Sequence, residues 1–256
     1  MGSFNPFSLE GKIVLITGAS SGIGRQCAIS CTQIGARVIL IGRRREKLIE
    51  TIGLLPSGNN LYYSFDVNNY QEIESVIADA VAKAGPIHGF IHSAGIDLTL
   101  PFSVTKPIHY QELFATNVIA GFEFAKVLSK KKYLSGEGGS FVYISSVMGI
   151  QGNPSLVGYS ASKGALISGV KSMAIELASK NIRVNVISPG HLEDTEMSAK
   201  LFENLSEESK SLIIKAYALG LGTTSDAANG CIYLLSDASK WVTGTNLIID
   251  GGYSAK

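Results

Sequence analysis

Long apolar runs are missing from this chain of 256 residues, and no segment approaches the roughly 18 consecutive apolar residues that a bilayer-spanning helix needs. The opening MGSFNPFSLEGK has no apolar core of the kind a secretory leader carries. Met1-Gly2 resembles the start of a myristoylated protein, but Pro6 stands where that motif requires Ser or Thr. Cysteine is scarce: Cys27, Cys31 and Cys231 fall at no ordered spacing, which excludes a disulfide scaffold and suits a reducing compartment. No His or further Cys stands near Cys27 and Cys31 to complete a zinc set, so no metal site is expected and the two thiols read as small core residues on one helical face. Excess charge is missing too. A formal net charge of +1 creates no field that would recruit nucleic acid or an acidic membrane. The basic run Lys130-Lys131-Lys132 reads as a helix end where cations offset the dipole. These absences point to a cytoplasmic protein with no membrane and no nucleic-acid partner.

What is present is apolar sequence in short, regularly spaced pieces. Apolar residues make up 45% of the chain and charged residues 17%, the balance of a folded domain. KIVLIT (12–17), RVILIG (37–42), LYYSF (61–65), IHGFIH (87–92), GSFVYIS (139–145), RVNVIS (183–188) and TNLIID (245–250) are strand candidates. Helical stripes lie between them: Ile73, Val76, Ile77, Ala80 and Val81 in 69–84, and Leu166, Val170, Met173, Ala174 and Leu177 in 159–180. Continuous apolar strands alternating with amphipathic helices predict an α/β domain, a doubly wound parallel sheet of about seven strands with helices on both faces. No linker divides it, so residues 1–256 form one domain. No strand directly follows the sixth, and 191–223 is expected to form a loop or helical flap over the carboxyl edge of the sheet, where such folds bind ligands.

TGASSGIG (17–24) follows the first strand and opens the first helix. Gly18 allows a sharp turn, Gly22 a close approach of backbone to a ligand, and Gly24 close packing of helix on sheet. The free N–H groups around Ser20, Ser21, Gly22 and Ile23 then face an anion, the arrangement that binds a dinucleotide pyrophosphate. No Gly-Lys-Ser/Thr follows, which excludes a Walker-type loop. At the end of the second strand, a carboxylate would bond the ribose 2′-OH of NAD, whereas arginine pairs with the 2′-phosphate of NADP. The chain reads IGRRREKL there, with no acid before Glu46. NADP(H) is therefore favoured over NAD(H), with Arg43 the first candidate and Arg44 the second.

YSASK (159–163) places Tyr159 and Lys163 on one helical face. Taken alone, this reads as an ordinary buried tyrosine with a lysine snorkelling past it. A free phenol titrates near 10, and a neighbouring ammonium would lower that value. With the rest of the chain, the pair acquires a context. Thr17, Gly18, Gly22 and Gly24, Asp66-Val67, Ala94-Gly95, Asn117, Ser146, Tyr159 and Lys163, NVISPG ending in Pro189-Gly190, and DGGY at 250–253 occur in an order and spacing that resembles the short-chain dehydrogenase/reductase family over roughly residues 10 to 253. The members it looks most like are the 3-oxoacyl-carrier-protein reductases. The resemblance implies a Rossmann-type fold and an NADP(H)-dependent oxidoreductase acting on a small-molecule carbonyl or alcohol. It implies Tyr159 as general acid or base, Ser146 bonded to the substrate oxygen, Lys163 on the nicotinamide ribose and lowering the tyrosine pKa, and Asn117 ordering a proton relay. Asp66 and Val67 would meet the adenine. Ser93, Ala94 and Gly95 would line the cofactor, and Pro189, Gly190 and Leu192 would meet the carboxamide.

Two positions depart from the family pattern. His92-Ser93 replaces Asn-Asn before Ala94-Gly95, leaving His92 as either a hydrogen-bonded structural residue or a second proton carrier. Asp194 stands where a threonine is expected, and Thr195, one position later, becomes the candidate carboxamide contact. Met197, Leu201, Phe202 and Leu205 in the flap, with Leu98, Leu100, Phe102, Gln151, Asn153 and Leu156 opposite, suit an acyl chain, a steroid or a cyclic ketone. His191 either touches substrate or caps its loop. A rival reading keeps the fold but makes the protein a catalytically silent NADP sensor. Relatives of this form associate as homotetramers or homodimers through helices near 107–132 and 159–180, and the same is expected here.

Overall fold

In a computed structural model, which describes residues 5–56, 58–203 and 205–255, the run Ile13–Thr17 is buried along its whole length. Met1-Gly2 lies outside the described residues. A strand with no polar face must be covered on both sides, and that requirement organises the molecule. The strands are β1 (Ile13–Thr17), β2 (Arg37–Gly42), β3 (Leu61–Ser64), β4 (Gly89–His92), β5 (Gly139–Ile144), β6 (Ile182–Pro189) and β7 (Asn246–Ile249). They form one sheet in the order β3-β2-β1-β4-β5-β6-β7, every pair parallel. The helices are α1 (Gly22–Gln33), α2 (Arg45–Gly53), α3 (Ile73–Ala84), α4 (Pro107–Phe114), α5 (Ala120–Leu128), α6 (Val157–Leu177), α7 (Glu196–Glu203), α8 (Glu207–Lys215) and α9 (Thr224–Leu235).

Alternate strand residues go to opposite faces. Ile13, Leu15, Ile39, Ile41, Phe90, Phe141 and Tyr143 pack with α3, α5 and α6 through Ile77, Phe124 and Leu166. Val14, Ile16, Val38, Leu40, Ile91 and Val142 pack with α1 and α9, where Cys27, Cys31 and Cys231 are fully buried. Phe90 is at the centre of the first layer, stacked on Phe124 at 5.9 Å and edge-on to Phe141 at 5.8 Å. Truncating such a ring to alanine costs about 3–5 kcal/mol.

The strand order reverses at β1, which pairs with β2 on one side and β4 on the other. The connections leave toward opposite faces there, opening a crevice at the carboxyl ends of the strands. Two elements differ from the sequence expectation. The segment 107–132 is not one helix, because a π turn at Ala115–Ile119 separates α4 from α5. Helix α5 ends at Leu128, so the lysine run stands beyond it; Lys130 and Lys132 instead reach Glu74 on α3 at 2.6 and 3.0 Å. The flap is helical, built from α7 and α8, and a parallel bridge between Leu192 and Gly222 closes its base.

Candidate active site

Gly18 has φ +69, and a Cβ there would lie 2.6 Å from the Ala94 nitrogen; a Cβ on Gly24 would lie 2.4 Å from the Gly18 carbonyl. Both contacts are with backbone, so both positions require glycine. Gly22 is different. Its φ is +52, but around it a Cβ would meet only Thr195 Cγ2, at 3.9 Å. Ser21, the residue before α1, is extended and makes no side-chain cap bond, and the first turn holds no acid. The leading N–H groups of α1 thus have no acid or side-chain cap of their own helix and face a polar cleft, which fits a pyrophosphate.

Thr17 and His92 are register partners on β1 and β4. His92 Nε2 lies 3.2 Å from the Thr116 carbonyl, an acceptor only, so Nε2 carries the proton and Nδ1 accepts from Thr17 Oγ1 at 3.0 Å. The Ala94 N–H in turn donates to Thr17 Oγ1 at 3.3 Å. Burial first, and the Lys163 ammonium second, push the His92 pKa down to about 3. It remains neutral at physiological pH, and its bonds tie β1, β4 and the π turn together. Of its two open readings, this geometry is the structural one.

The π turn shapes the far wall. Asn117 is fully buried in it; its Oδ1 accepts from Ile96 N at 2.8 Å, and its Nδ2 donates to Ile96 O and Ser162 Oγ, each at 3.0 Å. The amide clamps the chain after β4 against α6. Gly95 lies in this clamp, where a Cβ would come 3.3 Å from Asn117 Oδ1 and 3.4 Å from Lys163 Nζ.

Tyr159 and Lys163 project from the first turns of α6, with Lys163 Nζ 5.6 Å from the centre of the Tyr159 ring. The ammonium is buried and donates to the Ile144 carbonyl at 2.9 Å. Ser146 lies beside the Tyr159 phenol, within reach to donate to it, and its Oγ accepts from Met148 N at 3.1 Å. Ser145, the neighbouring serine, is buried and bonds the Lys163 carbonyl at 2.8 Å, away from the phenol.

The expected depression of the tyrosine pKa is absent. Burial pushes the phenol up to about 12; the Ser146 bond pulls it down, and the Asp97 carboxylate pushes it up further. Lys163 moves the other way, brought down to about 8 by burial against an opposing pull from Asp97. Desolvation disfavours whichever form is charged, phenolate or ammonium, and here it is the largest influence on both groups. Asp97 was not singled out by sequence reasoning. Its only signal is its position two residues beyond Ala94-Gly95, at the mouth of the crevice.

The remaining candidate residues line the same edge. Arg44 Nη2 donates to Ser21 Oγ at 2.8 Å, linking the tip of β2 to the glycine turn. Arg43 is exposed at that tip, its carbonyl accepting from Ser64 Oγ at 3.1 Å. Asp66 Oδ1 accepts from Asn68 N at 3.0 Å, and Val67 beside it is buried. Pro189 ends β6, Gly190 N donates to Ile249 O at 2.8 Å, and Leu192 is buried at the flap base. Thr195 faces Gly22, its Oγ1 bonded to Leu192 O and Ser198 N. Asp194 has turned away to α9, accepting from Thr224 N at 2.8 Å and Thr224 Oγ1 at 2.7 Å. His191 bonds Ser198 Oγ at 2.7 Å and packs on Phe202 at 5.1 Å, which fits the capping reading. A cleft of about 240 Å³ lies between the two ends of the flap and the end of β7.

A family model described as enoyl-(acyl carrier protein) reductase matches residues 18–254. The chain belongs to the short-chain dehydrogenase/reductase family. This family consists of oxidoreductases acting on carbonyl and alcohol groups. A 3-oxoacyl-acyl-carrier-protein reductase of Thermotoga maritima is 36% identical over 95% of this chain and 98% of its own. An NADP-dependent (R)-specific alcohol dehydrogenase of Lentilactobacillus kefiri is 30% identical over 97% and 98%. Among solved structures, a short-chain type dehydrogenase/reductase of Mycobacterium marinum superposes with a TM-score of 0.88, at 29% identity and full coverage of both chains.

Proposed function

We propose that this protein reduces a carbonyl, or oxidises the corresponding secondary alcohol, with NADP(H), and that Tyr159 is the general acid or base. The observation that carries the reading is the pairing of Tyr159 with Ser146, with Lys163 alongside, set at the crevice edge beside Gly95 and Asn117. When bound, the nicotinamide supplies or accepts the hydride. The protein supplies the proton and the positive surroundings. A phenol raised to about 12 stays protonated at neutral pH, so Tyr159 is loaded to protonate a carbonyl oxygen as negative charge develops on it. Ser146 shares that charge through a hydrogen bond. Lys163 keeps a positive charge beside the phenol and is placed to hold a ribose hydroxyl, and Asn117 holds the wall against which both pack.

The cofactor preference is supported by Arg43 and Arg44 at the tip of β2 and by the absence of an acid there before Glu46. The names of the relatives support the substrate class: a 3-oxoacyl thioester or another apolar ketone, with Met197 and Leu201 half-exposed on the flap to meet it. Gly18, Ser20, Ser21, Gly22, Ile23 and Gly24 would hold the pyrophosphate. Asp66 and Val67 would hold the adenine. Ser93, Ala94, Gly95, Pro189, Gly190, Leu192 and Thr195 would hold the nicotinamide half.

The test is Tyr159→Phe. Hydride transfer to a panel of ketones and 3-oxoacyl thioesters, followed by NADPH absorbance, is expected to fall by at least about 10²–10⁴-fold, the range for loss of a general acid. NADPH binding should persist. Turnover retained in the variant refutes the acid role; binding without turnover in the wild-type protein across the panel favours a sensor.

A further inference from the structure

Arg44 is held by two partners from different parts of the molecule. Nη2 donates to Ser21 Oγ in the glycine turn at 2.8 Å, while Nη1 donates to Oε2 and Oε1 of Glu196 at 3.0 and 3.3 Å. Glu196 is the first residue of α7, in the flap, far from Arg44 along the chain. With Ser21 and Gly22, it also lines a polar cleft of about 250 Å³ in front of α1. The one ion pair therefore joins three things: the arginine at the tip of β2, the phosphate-facing turn, and the flap that covers the substrate side.

We infer that Glu196 is a determinant of cofactor specificity: its carboxylate is an internal competitor for the 2′-phosphate of NADP(H), and binding of that phosphate releases the flap from the glycine turn. The inference rests on the reading that Arg44 meets the 2′-phosphate. A planar guanidinium accepts a carboxylate or a phosphate on the same donors, so the two anions exclude each other at Nη1. A carboxylate left in place would also repel the dianion. The phosphate must displace Glu196, and whatever the ion pair contributes to the closed flap is subtracted from NADPH binding. NADH has no 2′-phosphate and leaves the pair intact. The two nucleotides thus differ in what they do to α7 as well as in affinity. The pair is half-exposed, with side-chain accessibilities of 46% and 52%, so the coupling is modest.

The test measures dissociation constants for NADPH and NADH at low ionic strength by the fluorescence of the reduced nucleotide. The proteins are the wild type, Glu196→Gln, Glu193→Gln, Arg44→Gln and the Arg44→Gln/Glu196→Gln double variant. Glu193→Gln removes a charge from the same flap without touching Arg44 and reports the general field. Expected is a tightening of NADPH by about two- to fivefold beyond any change in NADH in Glu196→Gln, with Glu193→Gln near wild type, and no such NADPH-specific gain when Arg44 is already gone. If Arg44→Gln lowers the NADPH preference but Glu196→Gln leaves NADPH affinity unchanged, or gains no more than Glu193→Gln, the competition is refuted and the cofactor reading stands. If the wild type shows no preference for NADPH, or Arg44→Gln leaves that preference intact, the Arg44 reading falls and this inference falls with it.

Discussion

Tyr159 and Lys163 share one desolvated corner, and burial moves their pKa values apart, the phenol up to about 12 and the ammonium down to about 8. Asp97 acts on both, favouring the protonated form of each. This gives a pH prediction with a definite sign. If the charged lysine is the working form, kcat/KM for carbonyl reduction falls as pH rises through about 8, where Lys163 loses its proton. Asp97→Asn removes the carboxylate that holds that proton, so the falling limb moves to lower pH. In the alcohol-oxidising direction, the rising limb set by Tyr159 moves to lower pH as well. Asp97 is exposed, so both shifts should shrink as salt is added. Profiles of the variant that superimpose on the wild type would show that Asp97 does not act on the pair.

Among the elements, α9 and the π turn show how helix ends and irregularities place the site. Thr223 and Asp226 form a capping box at the start of α9, and Asp194, reaching from the flap base, supplies another acceptor to Thr224. The residue that departs from the family pattern is thus a tether between the flap and a core helix. Asp194→Ala should cost about 1–2 kcal/mol, as loss of an N-terminal cap does, and lower Tm by about 2–6 °C in a chain of this size. An unchanged melting temperature by differential scanning calorimetry would remove that role. The π turn inserts one residue between α4 and α5 and buries Asn117, with its amide facing both Ile96 and Ser162. An uninterrupted helix would rotate that side chain elsewhere.

At the scale of the molecule, two apolar layers cover the sheet, and the crevice sits where its order reverses. Among the described residues, no helix is long and apolar enough to cross a membrane. Ile108 on α4, Ile119 in the π turn, and Val157 and Ile175 on α6 are each at least 43% exposed, on the elements through which association is expected. The prediction is a dimer or tetramer by sedimentation at micromolar concentration. Charged substitutions such as Ile108→Glu and Ile119→Glu should shift it toward monomer while Tyr143 and Phe90 keep their buried signatures. A monomeric wild type would refute this assembly.

The strands, the amphipathic stripes and the glycine turn were legible in the residues because each depends on local period or on backbone that only glycine can adopt. The gathering of Asn117, Ser146, Tyr159 and Lys163 was legible only through the order and spacing of a family pattern, since no local rule brings residues so far apart in the chain together. Tertiary structure alone decided the rest. The π turn at Ala115–Ile119 depends on contacts Asn117 makes with the chain after β4 and with α6. The raised phenol depends on how far packing encloses the Tyr159 ring. The choice of Glu196 as partner for Arg44, and of Glu74 for the lysine run, depends on which charges folding brings within reach. Sequence carries the periodicities; desolvation and long-range pairing exist only once the chain is packed.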